Sequence, residues 1–457
     1  MDGQAATRPE WRAMSESCDL IVRGGTLATP DAIALGDLAI RGGKIVAVGD
    51  VSGFSAAEEL DATGLHVLPG AIDTQVHFRE PGMEHKEDLE SGTRCALMGG
   101  VTTIFEMPNT NPTTITAEAL YDKLRRCEGR AWVDHGFFIG ASPENVDELA
   151  TLEQLPGVPG VKTFMGSSTG SLLVEEESVL RRVMQNGVRP MPVHSEDEAR
   201  LRERKVIADE AGHPRAHPIW RDPESAVIST KRLIRLSEET GRHVHILHIS
   251  TADELPLIAE AKRRGLRVTC EATPHHLTLE AAQYETLGTY LQMNPPVRDE
   301  THRRAIWAAV KEGLFDVFGS DHAPHTHEEK AKPYPASPSG MPGVQTIYPV
   351  MLHWAIEGEL PLRQAIDMLT SRPADLYGIR DKGRLVVGAD ADLAVFDLDA
   401  QFTLTNEGME TKCGWTPYHG MTIRARPIHT LVRGHWAMRE GARPAAPIGR
   451  PVSFTWK

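Results

Sequence analysis

The stretch "LHVLPGAIDTQVHFREPG", residues 65–82, decides how this chain is read. Inside it, "AIDTQVH" is a short apolar run that ends in polar side chains, His77 among them, with Arg79 two residues on. A run of that length fits a buried strand whose far end opens on a polar rim. The pattern returns seven times: "VTTIFEMPN" (101–109), "AWVDHGFFIGAS" (131–142), "GVKTFMG" (160–166), "RPMPVHSED" (189–197), "HVHILHIS" (243–250), "RVTCEATPHH" (267–276) and "DVFGSDHAPH" (316–325). Helix-like segments separate most of them. "SAVISTKRLIRLSEETG" (225–241) is one, and "TADELPLIAEAKRRG" (251–265) is another, with apolar spacing of i, i+3, i+4 and a stop at Gly265. Eight strand–helix units predict an α/β protein built on a (β/α)8 TIM barrel, in which the polar tails meet on one face. A doubly wound open sheet is the alternative. It is disfavoured because no Gly-rich phosphate loop follows the first strand and because the polar tails recur on every strand.

The two ends of the chain differ from the middle. "DLIVRGGTLATPD" (19–31), "GDLAIRGGKIVAVGD" (36–50), "RLVVGADADLAVFDLD" (384–399) and "MTIRARPIHTLVRGHWA" (421–437) join β-branched residues to Gly and Asp turns. Because domain termini tend to lie close together, residues 19–69 and 384–457 are expected to build one small β-sandwich domain. Residues 70–383 are then the barrel, and 1–18 a flexible lead-in without the apolar core of a secretory signal. "KPYPASPSGMPG" (332–343) reads as a loop on the polar face, with the composition of a mobile lid.

Composition narrows the function. The chain has 457 residues, 40% hydrophobic and 25% charged, as in an ordinary globular protein with a large core. A net charge of −14 makes it a poor nonspecific nucleic-acid binder, though a few Arg residues in a pocket can still hold a small anion. Five scattered Cys residues with no C-x-x-C fit a reducing cytoplasm rather than a disulfide framework. No apolar stretch approaches the roughly 18 residues of a membrane span.

His77, Lys162, His194, His248 and Asp321 fall at the ends of candidate strands 1, 4, 5, 6 and 8. Singly, each reads as a hydrogen-bonded rim residue, an ion-paired Lys or a helix-capping Asp. Together on one rim, imidazoles and a carboxylate suit Zn²⁺ or a similar ion with a position open for water. Lys162 has no lone pair as an ammonium. Buried near cations, it would lose its proton and react with CO2 to give an anionic carbamate able to bridge two ions. An ion pair with a neighbouring carboxylate is the other reading.

At this point the chain resembles a family. "HFREPG", "EMPNTNP", "GVKTFMG", "HSED", "LHIST", "CEATPHHL", "MNPPVR" and "SDHAPHT" are similar to the motifs of the amidohydrolase superfamily, and within it of the dihydroorotases, over roughly residues 19–440. The resemblance implies zinc held by His77, a carboxylated Lys162, His194, His248 and Asp321. It implies a substrate carboxylate bound by Arg79 and Asn109, with further substrate contacts from His325 and Asn294. Gln75 departs from the pattern, which has a histidine there to complete an H-x-H pair. The ion at His194 and His248 is thus expected to be secure, and the ion at His77 and Asp321 weakly held.

The implied reaction is reversible hydrolysis of L-dihydroorotate to N-carbamoyl-L-aspartate, a step of pyrimidine biosynthesis. The ion polarises the ring carbonyl and activates water, while Asp321 moves the proton from the water to the leaving nitrogen. The implied protein is a cytoplasmic homo-oligomer whose partners are small molecules, not nucleic acid or membrane. Two other classes stay open. One is a hydantoinase or allantoinase, and the other a noncatalytic relative that assembles with aspartate carbamoyltransferase.

Overall fold

The computed structural model describes residues 16–167, 172–442 and 446–455. Most of the expected lead-in, residues 1–15, lies outside the described residues.

All eight apolar runs form strands. They are β1 (Ala71–Val76), β2 (Val101–Glu106), β3 (Asp134–Phe137, resuming at Ile139–Gly140), β4 (Val161–Phe164), β5 (Met191–His194), β6 (Val244–Ile246), β7 (Val268–Ala272) and β8 (Val317–Phe318). Each pairs in parallel with the next. The ring closes where Val76 bridges His322 and the His77 amide donates to the His322 carbonyl at 2.7 Å. This is the TIM barrel, and closure leaves no exposed strand edge. The strands are buried on both faces, which is why their sequences show no regular alternation of apolar and polar residues.

The surrounding helices follow their local signals. The helix α1 (Leu89–Met98) starts at Asp88, whose side chain accepts from Ser91 N in a capping box. The helix α2 (Ala117–Cys127) turns Leu120, Lys123 and Cys127 inward, three residues on one helical face. The helix α3 (Pro223–Thr240) has Asp222 as its cap and ends at left-handed Gly241. The helix α4 (Leu255–Arg263) stops just before Gly265, which has φ +73°. No helix among the described residues is long and apolar enough to cross a membrane, and all five cysteines are buried and free.

The β-rich domain draws on both chain ends. Strands Glu16–Ala28, Ile33–Arg41, Lys44–Gly49, Phe54–Asp61 and His66–Pro69 join Leu393–Asp397, Arg426–Val432 and His435–Arg439 in one eight-stranded hydrogen-bonded sheet. The seam is the antiparallel pairing of His66–Pro69 with Leu393–Asp397. The long first strand pairs with Phe54–Asp61 along one half and His66–Pro69 along the other, and its antiparallel pairing with Ile33–Arg41 shifts register between Val22 and Gly25. It places Leu20 and Val22 in one apolar layer and Cys18 and Ile21 in another.

The segment boundaries need two corrections. The sheet already begins at Glu16, inside the expected lead-in. Residues 402–423, assigned above to the β domain, pack on the barrel instead. Leu404, Cys413, Trp415, Tyr418 and Ile423 share an apolar cluster with Met293, Ala323, Met341 and Val350. Trp415, 1% exposed, needs a deep core for so large a side chain, and its Nε1 donates to the His325 carbonyl at 2.8 Å. The C-terminal tail also returns to the barrel, where Val452 N donates to the His135 carbonyl at 2.9 Å.

Candidate functional site

The C-terminal ends of the strands converge on one rim. His77 and Arg79 follow β1, Asn109 follows β2, Lys162 lies in β4, His194 ends β5, His248 follows β6 and Asp321 follows β8. Six non-glycine residues among those described have positive φ, and three of them are Arg79 (66°), His248 (38°) and Asp321 (48°). Left-handed backbone is unfavourable for such side chains, and its concentration on one rim marks a site that the surrounding structure holds in place.

The imidazoles form two pairs of electron-rich groups. In the first, His77 Nδ1 meets Asn109 Oδ1 at 2.8 Å, so Nδ1 carries the proton and donates. The Nε2 lone pair then faces Asp321 Oδ1 at 3.2 Å. In the second, His194 Nε2 lies 2.9 Å from Glu196 Oε2, and Arg221 Nε holds both Glu196 oxygens at 3.2 Å. That carboxylate fixes the proton on His194 Nε2 and aims Nδ1 at His248 Nε2, 3.1 Å away. Burial drives both histidines toward the neutral form. Burial pushes the Asp321 carboxyl up, but the close approach of His77 and the nearby His248 and His275 rings outweigh it and hold the pKa well below the usual range.

This donor set fits a zinc-like ion. Two ligands about 2.0–2.1 Å from one tetrahedral ion stand about 3.3 Å apart, close to both separations. Gln75 fits poorly. Its Nε2 donates to Asp321 Oδ1 at 3.0 Å, which directs an amide nitrogen without a usable lone pair to where a ligand would stand. Its Oε1 is left buried without a partner.

Lys162 is 1% exposed, with Nζ 4.4 Å over the Phe164 ring. Burial lowers its pKa to about 7, against the pull of Asp321 and Glu271. Glu271 of β7 sits below the rim, where Oε1 accepts from His248 N at 3.3 Å and Oε2 from Thr74 at 3.2 Å. It leaves no room for a side chain at residue 319, where a Cβ would lie 2.1 Å from Oε2.

Above the rim is a narrow cleft, lined by His77, Arg79, Met293, Asn294, Asp321, Ala323, Ser339 and Gly340. Arg79 is 1% exposed and contacts only neutral groups: Nε donates to the Pro324 carbonyl at 3.3 Å, and Nη2 meets His325 Nε2 at 3.4 Å. No carboxylate among the described residues forms an ion pair with it. His325 is not on the cleft wall as expected of a substrate contact. It is fully buried behind Arg79, where it meets the Ser339 carbonyl at 3.0 Å. The 332–343 loop reaches the cleft through Ser339 and Gly340. It is fastened by Lys330, whose Nζ donates to the Pro338 and Gly340 carbonyls at 2.9 and 3.1 Å.

Sequence reasoning passed over several of these groups. Glu196, two residues after His194, was visible in "HSED" as an acidic neighbour. Arg221 and Glu271 carry no local signal, because they act through contacts distant in sequence.

One acidic trio lies elsewhere. Asp134, Asp390 and Asp392 bring their oxygens within 4.8 Å of one another, but Lys382 Nζ already binds all three at 2.7, 3.0 and 2.6 Å. The ammonium occupies the place a cation would take.

Comparison with known proteins agrees with this geometry. Residues 66–437 match the model of the amidohydrolase family. A dihydroorotase of Halobacterium salinarum is 35% identical over 402 residues, covering 87% of this chain and 92% of the relative. An allantoinase of Deinococcus radiodurans is 33% identical over 448 residues, covering 95% and 98%. The solved L-hydantoinase of Arthrobacter aurescens superposes with a TM-score of 0.91 at 29% identity, over 95% of this chain and all of that one. With a barrel, a rim of this kind and these relatives, the chain belongs to the amidohydrolase family, among relatives that are cyclic amidohydrolases.

Proposed function

We propose that this protein is a metal-dependent dihydroorotase, interconverting L-dihydroorotate and N-carbamoyl-L-aspartate. The relatives alone do not separate this from allantoin or hydantoin hydrolysis, since the identities of 35% and 33% are nearly equal. The observation that carries the reading is Arg79. A guanidinium that is 1% exposed, faces the cleft and has no described carboxylate partner is costly unless the ligand supplies an anion. Dihydroorotate and carbamoyl aspartate bring a carboxylate, whereas allantoin and hydantoin do not.

In this reading His194 and His248 would hold one zinc-like ion, His77 and Asp321 would hold a second more weakly, and Lys162, carboxylated, would serve as a further anionic ligand. The depressed Lys162 pKa of about 7 supplies the neutral amine that adds to CO2, forming an N–C bond and releasing a proton. When bound, the metal acts as a Lewis acid toward the scissile carbonyl and toward water. Asp321, held as a carboxylate on the cleft wall, would accept the proton of the attacking water and return it to the ring nitrogen as the C–N bond breaks. Arg79 fixes the carboxylate, with Asn109 beside it at the end of β2, and Asn294 faces the ring from the opposite loop. Glu196 and Glu271 orient the His194 ring and the His248 backbone.

The test is initial rates of the zinc-loaded protein with dihydroorotate, carbamoyl aspartate, allantoin and hydantoin. The dihydroorotate pair is expected to give the highest kcat/KM. Faster turnover of either uncharged ring would overturn the reading.

A further inference from the structure

His217 lies outside every motif above, in the segment "HPRAHPIW" between β5 and α3. It is 1% exposed. Its Nε2 faces three oxygens: the Met293 carbonyl at 3.0 Å, Asn294 Oδ1 at 2.9 Å and Ser339 Oγ at 3.3 Å. The ring is clamped edge-on by Trp220 and Tyr334, with centroids 5.6 and 5.9 Å away. Met293, Asn294 and Ser339 all line the cleft, so one buried imidazole holds both walls of it.

The Met293 contact settles the proton. A backbone carbonyl only accepts, so His217 Nε2 must be an N–H. The atom of Asn294 facing the same N–H must then be its amide oxygen, which removes the usual ambiguity between the two ends of an Asn side chain. Burial and the neighbouring Arg221 lower the His217 pKa to about 3, so the ring stays neutral and keeps this tautomer across the working pH range. With Oδ1 engaged, Asn294 turns its Nδ2 donors away from His217, and no described residue accepts from them.

We propose that His217 is a positioning residue that sets the hydrogen-bonding sense of Asn294, making the cleft wall a donor for the ureido carbonyl of a cyclic ureide. This rests on the function proposed above for the site. Arg79 engages the carboxylate and Asp321 stands at the scissile amide, so the ureido carbonyl is the ring acceptor left for Asn294. Free to rotate, the amide would offer donor and acceptor about equally. The locked amide rejects a ring without a good acceptor there.

The experiment compares kcat/KM for dihydroorotate with that for its 2-thio analogue, whose sulfur accepts hydrogen bonds weakly. The enzymes are wild type, His217→Leu, His217→Gln and Asn294→Asp. Wild type should prefer the oxygen substrate by about 3- to 10-fold, the worth of one hydrogen bond. His217→Leu should lose most of that preference, mainly through KM. His217→Gln keeps a donor near the Nε2 position and should restore it. Asn294→Asp, nearly isosteric, puts an acceptor against the carbonyl and should raise KM for the oxygen substrate above that for the thio analogue. A merely structural His217 would slow both substrates equally and leave the ratio unchanged, which overturns the proposal. If His217→Leu does not fold, the Gln and Asp variants decide by the same ratio. If wild type does not turn over dihydroorotate, the proposed function fails. The same oxygen–sulfur comparison is then made with hydantoin and 2-thiohydantoin, which share the ureido carbonyl, and an unchanged ratio there overturns the role of His217 by itself.

Discussion

Arg79 and Gln75 stand two residues on either side of His77, and each departs from what a buried site would ordinarily tolerate. Arg79 carries a charge with no ion-pair partner among the described residues, in left-handed backbone. Replacing it with Met keeps much of the stem and removes the charge. KM for dihydroorotate should rise about 30- to 1000-fold, the loss of a charge-assisted pair, while kcat changes less because Arg79 does not touch the scissile bond. Thermal stability should hold or increase, because a buried unpaired charge has gone. Unchanged KM in steady-state kinetics would give Arg79 another task. Gln75 spends its amide nitrogen on Asp321 Oδ1, the oxygen that also faces His77. It therefore competes with an ion for Asp321 instead of donating to one. Metal titration of the stripped protein, followed by calorimetry and elemental analysis, should show about one tight ion in wild type and a tighter second ion in Gln75→His. Two equally tight ions in wild type would make Gln75, with its orphaned Oε1 turned inward, a variant ligand.

At the scale of elements, the strand ends are set by what packs behind them. Lys123, on the inner face of α2, reaches Glu106 Oε2 at 2.5 Å and the Met107 carbonyl at 3.3 Å, just before Asn109. Both side chains are within 1% of full burial, so each charge depends on the other. Lys123→Met should cost about 3–5 kcal/mol in urea unfolding, and adding Glu106→Leu should recover most of it. A single variant as stable as wild type would mean that Glu106 is content as a neutral acid, toward which burial already moves it, to a pKa of about 7. All eight strands were legible because each is a short stretch rich in apolar residues that ends in polar side chains at the rim. The interruption of β3 at Phe138 was not, since its residue is as apolar as its neighbours. The rim residues were legible where they end such a run, as His194 and Asp321 do. His217 was not, because its partners lie 76 to 122 residues away and an isolated His in a loop has no period. Nor was the left-handed backbone at Arg79, His248 and Asp321, which no glycine announces. Residues 402–423 read like the rest of the β-rich end because their pairing is β-like; only the depth of Trp415 shows that they belong to the barrel.

In the whole molecule, the barrel and the sheet are tied together at the end of the barrel opposite the cleft. Asp134 opens β3, whereas Asp390 and Asp392 lead into the sheet strand Leu393–Asp397, and Lys382 Nζ lies at the centre of the three. Arg433 N adds a hydrogen bond to Asp392 Oδ1 at 2.7 Å, and Lys44 pairs with Asp390 Oδ1 at 2.7 Å. Burial works against the Lys382 charge, but Asp392, Asp134 and Asp390 together hold its pKa well above that of an ordinary lysine. Lys382→Met would leave carboxylates from both bodies crowded and undercompensated. It should lower stability by about 3–5 kcal/mol. The seam between His66–Pro69 and Leu393–Asp397 remains hydrogen-bonded, so unfolding should stay a single transition at a lower temperature. Two separated transitions would show that Lys382 is what makes sheet and barrel cooperative. The kcat of the folded variant should match wild type, because the strand ends that carry the cleft are untouched. Added calcium separates the ion-pair reading from a metal-site reading of the same trio. Wild type should gain no thermal stability from it, since the ammonium fills the space between the carboxylates. Lys382→Met should gain, because a cation can then enter where the lysine stood.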